Sequence, residues 1–167
     1  TESEMLCGYA SEILDGDRSN REGHAAKVYF NAILPTGITR RSVGFINGCL
    51  NYGYAVLLSA VNREIVASGC VTQLGIWHDN EFNEFNLGSD LMEPLRVIVD
   101  ETALSVAAGD SFFKRKMANI LNYEVIFGGK TTTLDIAIRQ YVKSVLAALE
   151  ENDVSLITFP QDVKIVV

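Results

Sequence analysis

The segment from Ser42 or Val43 to Ser68 limits what this chain can fold into more than any other. Most of it reads INGCLNYGYAVLLSAVNREIVASG, with no proline and apolar residues on most helical faces. A helix of that kind is stable in water only when other elements cover it, so it belongs at the centre of the fold. Gly48 and Gly53 lower its helix propensity, and close approach of a neighbouring helix is the reason to expect them there. Gly69 supplies a C-terminal stop. No run of about 18 apolar residues occurs, so the segment is not a membrane span.

Other elements arrange themselves around it. Met5, Leu6, Tyr9, Ile13 and Leu14 recur at helical spacing and predict a helix over Glu2 to Leu14. A polar turn follows, and Ser19 or Asn20 is placed to cap a second helix from Arg21 to about Leu34, ended by Pro35-Thr-Gly37. Residues 71–85 show no clean period and read as a loop. Ser89 is placed to cap a helix from Asp90 to about Ala107, with Pro94 in its first turns; an earlier start would make Pro94 a kink. Gly109-Asp110 breaks the chain before a short helix near Ser111 to Leu121. Gly128-Gly129 between β-prone runs marks a hairpin over residues 123–133. Leu134 to Leu149 forms a last long helix, and the tail is loop or a short edge strand. The expectation is a mainly α fold: one multi-helix domain over residues 1–167 with a small β-hairpin.

Composition narrows the function classes. Apolar residues make up 48% of 167, enough for a core and against disorder. The formal net charge of −7 opposes a freely basic nucleic-acid binder, although a set of metal-binding carboxylates also makes a chain acidic. Local basic runs remain at Arg40-Arg41 and Lys114-Arg115-Lys116. The three cysteines, Cys7, Cys49 and Cys70, are odd in number and form no C-x-x-C pair, which excludes a disulfide scaffold and a cysteine zinc site. Reduced thiols of this kind suit a cytoplasmic setting.

His78 sits in the aperiodic segment and is followed by Asp79, Glu81, Glu84, Asp90 and Glu93. Asp90 and Glu93 are i and i+3 on the expected helix and project from one face, where two carboxylates repel unless a cation lies between them. Complementing a helix dipole in the first turn is the ordinary alternative, and it serves Glu22 on the second helix equally well. His24 projects roughly opposite Glu22, so the two do not share a site. An imidazole with carboxylates suits Mn²⁺ or Mg²⁺, and such sites commonly serve phosphoryl transfer. Neither a phosphate-cradling Gly loop nor a Gly-x-Ser-x-Gly elbow is present.

The runs NREGHAAKVYFNAI, INGCLNYGYAVLLSAVNREIVASGCVTQLGIWH and FNEFNLGSDLMEPLR resemble, in content and order, the universal integrase of CRISPR adaptation. The likeness extends from about Arg21 to Leu149 and is nearest the shorter form, from systems with a single large RNA-guided effector nuclease. It implies metal ligands at Glu22, His78 and Glu93, with Asp90 as a further catalytic acid that binds the metal or orients its ligands. It implies a prokaryotic, Mg²⁺- or Mn²⁺-dependent DNA integrase and endonuclease. In that reaction the 3′-hydroxyl of a prespacer attacks a phosphodiester of the CRISPR repeat, so no protein nucleophile is required. Arg96 is placed to meet a phosphate or to pair with Glu93, Asp100 or Glu101. The resemblance further implies a preceding β-rich lobe not included here, a homodimer, and a small ferredoxin-like CRISPR-associated partner.

Two other readings compete. An HD-type metal phosphohydrolase would draw on His24, His78-Asp79 and Asp100. A non-catalytic helical interaction module would use the Asn47–Val66 helix and the Lys114–Lys116 run, and would bind no metal.

Overall fold

A computed structural model describes residues 1–106 and 110–164. Seven helices are found there: α1 (Glu2–Glu12), α2 (Arg21–Ile33), α3 (Phe45–Ala67), α4 (Asn86–Met92), α5 (Arg96–Ser105), α6 (Phe113–Ala118) and α7 (Leu134–Glu151). Three short strands, β1 (Glu124–Phe127), β2 (Lys130–Thr133) and β3 (Gln161–Lys164), pair antiparallel in the order β2-β1-β3. The mainly α expectation holds. The tail contributes the edge strand β3, which extends the hairpin to a three-stranded sheet. No helix among the described residues is long and apolar enough to cross a membrane.

The chain forms two compact units, Thr1–Asn47 and Gly48–Val167. In the first, α1 packs on α2. Thr1 and Glu4 form a capping box at the start of α1, satisfying N–H groups that a helix end leaves without partners. Asn20, one of the two residues expected, holds the N-cap position of α2 but makes no capping hydrogen bond through its side chain. Its backbone is left-handed (φ 51°), and its side-chain amide lies against Gly23, where a Cβ would stand 2.5 Å from Asn20 Oδ1. Asp17 caps instead, accepting from the backbone N–H of Arg21 at 2.7 Å and of Glu22 at 3.0 Å. Farther on, buried Asn47 ties down the turn before α3 by donating to the carbonyls of Thr39 and Ser42. Arg40 donates to the Asn47 side chain and lies over the Phe30 ring, so half of the Arg40-Arg41 run has a structural role.

In the second unit α3 is central. Cys49, Leu50, Leu57, Val61 and Ile65 are wholly buried, which places several of its faces in the core. Each such large side chain stabilises the fold by roughly 1.5–3 kcal/mol relative to exposure. Leu91, Leu95, Ile98, Met117, Ile120, Leu134 and Ile138 are likewise buried. Gly53 is there for close packing: a Cβ at that position would lie 2.5 Å from Val99 Cγ1 and 3.0 Å from Met117 Sδ. Gly48 is not, since a Cβ there would meet nothing within 4 Å.

The helix expected from Asp90 begins earlier, at Asn86, and Pro94 divides it. α4 gives way to a 3-10 turn over Glu93–Leu95 before α5 starts. Proline lacks the N–H that would continue the ladder and clashes with the preceding turn, so the axis is interrupted there. Ser89 is therefore inside α4 and caps nothing. The expected end near Ala107 and the break at Gly109 lie outside the described residues. Gly128 and Gly129 both have positive φ (55° and 75°), as a tight two-residue hairpin turn requires, and they join Phe127 to its register partner Lys130.

Candidate functional site

The aperiodic segment 71–85 is closely specified, but from outside itself. Asp90 on α4 accepts hydrogen bonds from three consecutive backbone N–H groups: Ile76 at 2.5 Å, Trp77 at 3.0 Å and His78 at 3.1 Å. The imidazole of His78 adds a fourth, Nδ1 to Oδ1 at 2.5 Å. Asn86, one turn earlier on α4, donates to the carbonyls of Gln73 and Asn80 and accepts from the N–H of Asn80. Thr72 closes the base by donating to the Glu84 carbonyl at 2.7 Å. Gly75 makes the wrap possible. A Cβ on it would stand 2.2 Å from the His78 carbonyl oxygen and 2.8 Å from Asp90 Oδ2. Gly88 plays the same part on the opposite side of α4, where a Cβ would lie 2.1 Å from Asn62 Oδ1.

The electrostatics follow from the donors. Burial, which leaves the Asp90 side chain 8% exposed, opposes its charge. The N–H of Trp77, the His78 ring and the N–H groups of His78 and Ile76 together outweigh that cost and hold its pKa below the ordinary carboxylate value. Asp90 is thus an ionised group that only accepts. Nδ1 is therefore the donor to Asp90, which leaves Nε2 as the ring nitrogen that can face a ligand. This is the arrangement that prepares a histidine for a metal ion: a carboxylate fixes tautomer and ring orientation and raises ligand basicity.

The other expected residues are distributed as follows. Glu93 opens the 3-10 turn, is exposed, and pairs with Arg96 Nη2 at 3.2 Å. Arg96 lies over the Tyr54 ring, 5.0 Å from its centroid. For Arg96 the structure thus shows the ion pair. Asp90 and Glu93 do not face one another across a shared cation position, because Asp90 is turned into the loop it holds. Asp90 is also past the first turn of α4, so complementing a helix dipole is not its role. Glu22 is exposed on the first turn of α2 and belongs to the Thr1–Asn47 unit, whereas His78, Asp90 and Glu93 belong to the other. Among the described residues, no group of three or more His, Cys, Asp or Glu side chains is gathered about one point. The donor chemistry nevertheless suits Mg²⁺ or Mn²⁺, with His78 the residue most visibly prepared.

The HD-type set is not assembled. His24 is in ring contact with Tyr9, Asp79 is exposed, and Asp100 is buried and accepts from the Tyr54 hydroxyl. Sequence reasoning missed Gly75, Asn86 and Tyr54. It also missed Glu64, which is buried beneath Arg63 and Arg139.

The fold is a known one. A casposase bound to integration product superposes with a TM-score of 0.66 at 23% identity, over 91% of this chain and 60% of that one. A Cas6-RT-Cas1–Cas2 complex matches with the same TM-score at 20% identity, over 87% of this chain and 20% of that one. The chain is thus one of a class of helical proteins that share the casposase fold. Within that class it belongs to the CRISPR associated protein Cas1 family, whose model matches residues 19–127. The CRISPR-associated endonuclease Cas1 of Neisseria meningitidis serogroup C is 33% identical over 159 residues, 91% of this chain and 52% of the relative. A CRISPR-associated endonuclease Cas1 of Francisella tularensis subsp. novicida is 28% identical over 142 residues, 72% of this chain and 45% of the relative. The chain spans about half the length of these curated relatives.

Proposed function

We propose that this chain is the metal-binding catalytic part of a DNA integrase that inserts new spacers into a CRISPR array. The observation that carries the reading is the His78–Asp90 pair, an imidazole whose tautomer and bearing are fixed before any ligand arrives. Its relatives' designation as endonucleases, and a structural neighbour bound to integration product, support the DNA chemistry. The neighbouring Cas6-RT-Cas1–Cas2 complex supports a Cas2 partner, which would be the small ferredoxin-like protein of the resemblance; the homodimer rests on the resemblance alone.

Glu22, His78 and Glu93 would hold one Mg²⁺ or Mn²⁺, with Asp90 orienting His78. When bound, the ion supplies charge neutralisation and Lewis acidity at a phosphodiester. The reaction is a transesterification: a prespacer 3′-hydroxyl oxygen forms a new ester bond to phosphorus, and the repeat strand leaves through its own 3′ oxygen. With water in place of that hydroxyl, the outcome is strand cleavage. For this chain's residues the task is placement, since a preorganised charge does not have to reorganise as the reaction proceeds. Before the ion binds, Arg96 neutralises Glu93.

Calorimetric titration with Mn²⁺ tests the reading. The parent should bind, and His78→Ala and Glu93→Ala should abolish binding. Asp90→Asn should weaken it about 10- to 100-fold, the usual cost of losing the carboxylate behind a metal-bound histidine. Equal binding by all four proteins, or by none, would overturn the assignment and favour a non-catalytic interaction module.

A further inference from the structure

Arg96 opens α5, directly behind the 3-10 turn that begins at Glu93. Its guanidinium carbon lies 5.0 Å from the centroid of the Tyr54 ring, and the Tyr54 hydroxyl donates to the buried Asp100. An aromatic face attracts a cation placed over it. The Nε of Arg96 is covered from solvent and makes no hydrogen bond among the described residues. The neck of the side chain is therefore held by packing and by the ring, not by hydrogen bonds. The fork reaches the surface and meets Glu93, Nη2 to Oε1 at 3.2 Å.

Glu93 is also the carboxylate assigned above to a metal ion. A carboxylate that gives its lone pairs to a cation has less to offer a guanidinium, and the two positive charges beside it repel. Arg96 stays anchored over Tyr54 all the same. Engaging Glu93 therefore leaves a positive fork at the edge of the site, in a position that only an anion relieves. A guanidinium fork matches phosphate oxygens in spacing and plane, which an ammonium does not. A phosphodiester carries its negative charge on the non-bridging oxygens, where such a fork can take it.

We propose that Arg96 is a phosphate-binding residue of the site, held in reserve by Glu93 and released to a non-bridging oxygen of the DNA backbone when Glu93 is engaged. The proposal rests on the metal reading for the event that engages Glu93. The clamp itself does not need the metal, because Glu93→Gln also releases Arg96. Since one ion pair stands in the way of both ligands, metal and DNA each favour the binding of the other.

Fluorescence anisotropy of a labelled DNA duplex in EDTA tests the clamp without metal. Glu93→Gln should tighten binding about tenfold over the parent, the worth of a hydrogen bond between charged groups. Losing a carboxylate favours DNA on charge alone, so the measure is the excess. With Arg96→Gln already in place, Glu93→Gln should gain about twofold or less. Arg96→Lys keeps the charge without the fork, and in its background the gain should be intermediate. Calorimetry gives a second readout. Arg96→Gln should bind Mn²⁺ about two- to fivefold tighter than the parent, since no ion pair has to break. The duplex should raise the Mn²⁺ affinity of the parent and not of that variant. Circular dichroism verifies that each variant folds. Equal gains from Glu93→Gln with arginine, lysine or glutamine at position 96 would overturn the proposal. A chain that binds no Mn²⁺ but shows the excess gain keeps the clamp and removes the metal reading. One that binds Mn²⁺ through Glu93 without the excess gain does the reverse.

Discussion

Asp90 receives four donors, and three of them are consecutive backbone N–H groups. A carboxylate used in this way shapes a loop, and Gly75 is the position that lets the loop come close enough. Gly75→Ala should therefore destabilise the protein by about 1–3 kcal/mol, because the added methyl collides with the His78 carbonyl, a backbone atom with little room to yield. Urea unfolding measures this, and an unchanged midpoint would mean that the loop relaxes without cost. The same variant should bind Mn²⁺ more weakly than the parent, since the Asp90–His78 geometry is disturbed along with it. His78 itself stood out in the sequence as a histidine followed by acids. The resemblance names Asp90 as a ligand or an orienting acid, but its hold on the loop backbone is not legible in the sequence, because hydrogen bonds that reach back 12 to 14 residues leave no periodicity to read.

Glycines within α3 make a controlled comparison of what a helix can tolerate. Gly53 faces Val99 and Met117, whereas Gly48 faces open space. Gly53→Ala should cost about 1–3 kcal/mol by overpacking. Gly48→Ala should stabilise by up to about 1 kcal/mol, because alanine is the better helix former and meets nothing. Thermal melts of the two variants should shift in opposite directions, and shifts of the same sign would refute the packing account. Sequence alone assigned both glycines to close packing, since it cannot say which face meets a neighbour. It placed α3, α7 and the hairpin well, because long apolar patterns and a Gly-Gly turn are local signals. It misplaced the start of α4, where no side chain caps the helix. It named the N-cap position of α2, Asn20, but not the capping acceptor, Asp17, which works three residues earlier from an unusual backbone turn.

The two compact units differ in how deeply their helices are buried. Neither α1 nor α2 contains a buried residue, whereas α3 and α7 hold much of the core. Opening of α1 and α2 should therefore cost less free energy than opening of α3. Native-state hydrogen exchange should show amides of α1 and α2 exchanging at least about tenfold faster than those of α3 at neutral pH, a separation of roughly 1.4 kcal/mol. Uniform protection would show that the chain opens as one cooperative body. The proposed ligand set draws on both units, since Glu22 lies in one and His78 and Glu93 in the other, which is why no short motif announced it. The 71–85 loop carries a further consequence. Its contour is dictated by Asp90, Asn86 and Thr72, while Gln73, Asp79 and Glu81 are exposed. Lineages descended from such a chain are free to diversify those outward positions, and so the surface that surrounds His78, while inheriting the bearing of its imidazole unchanged.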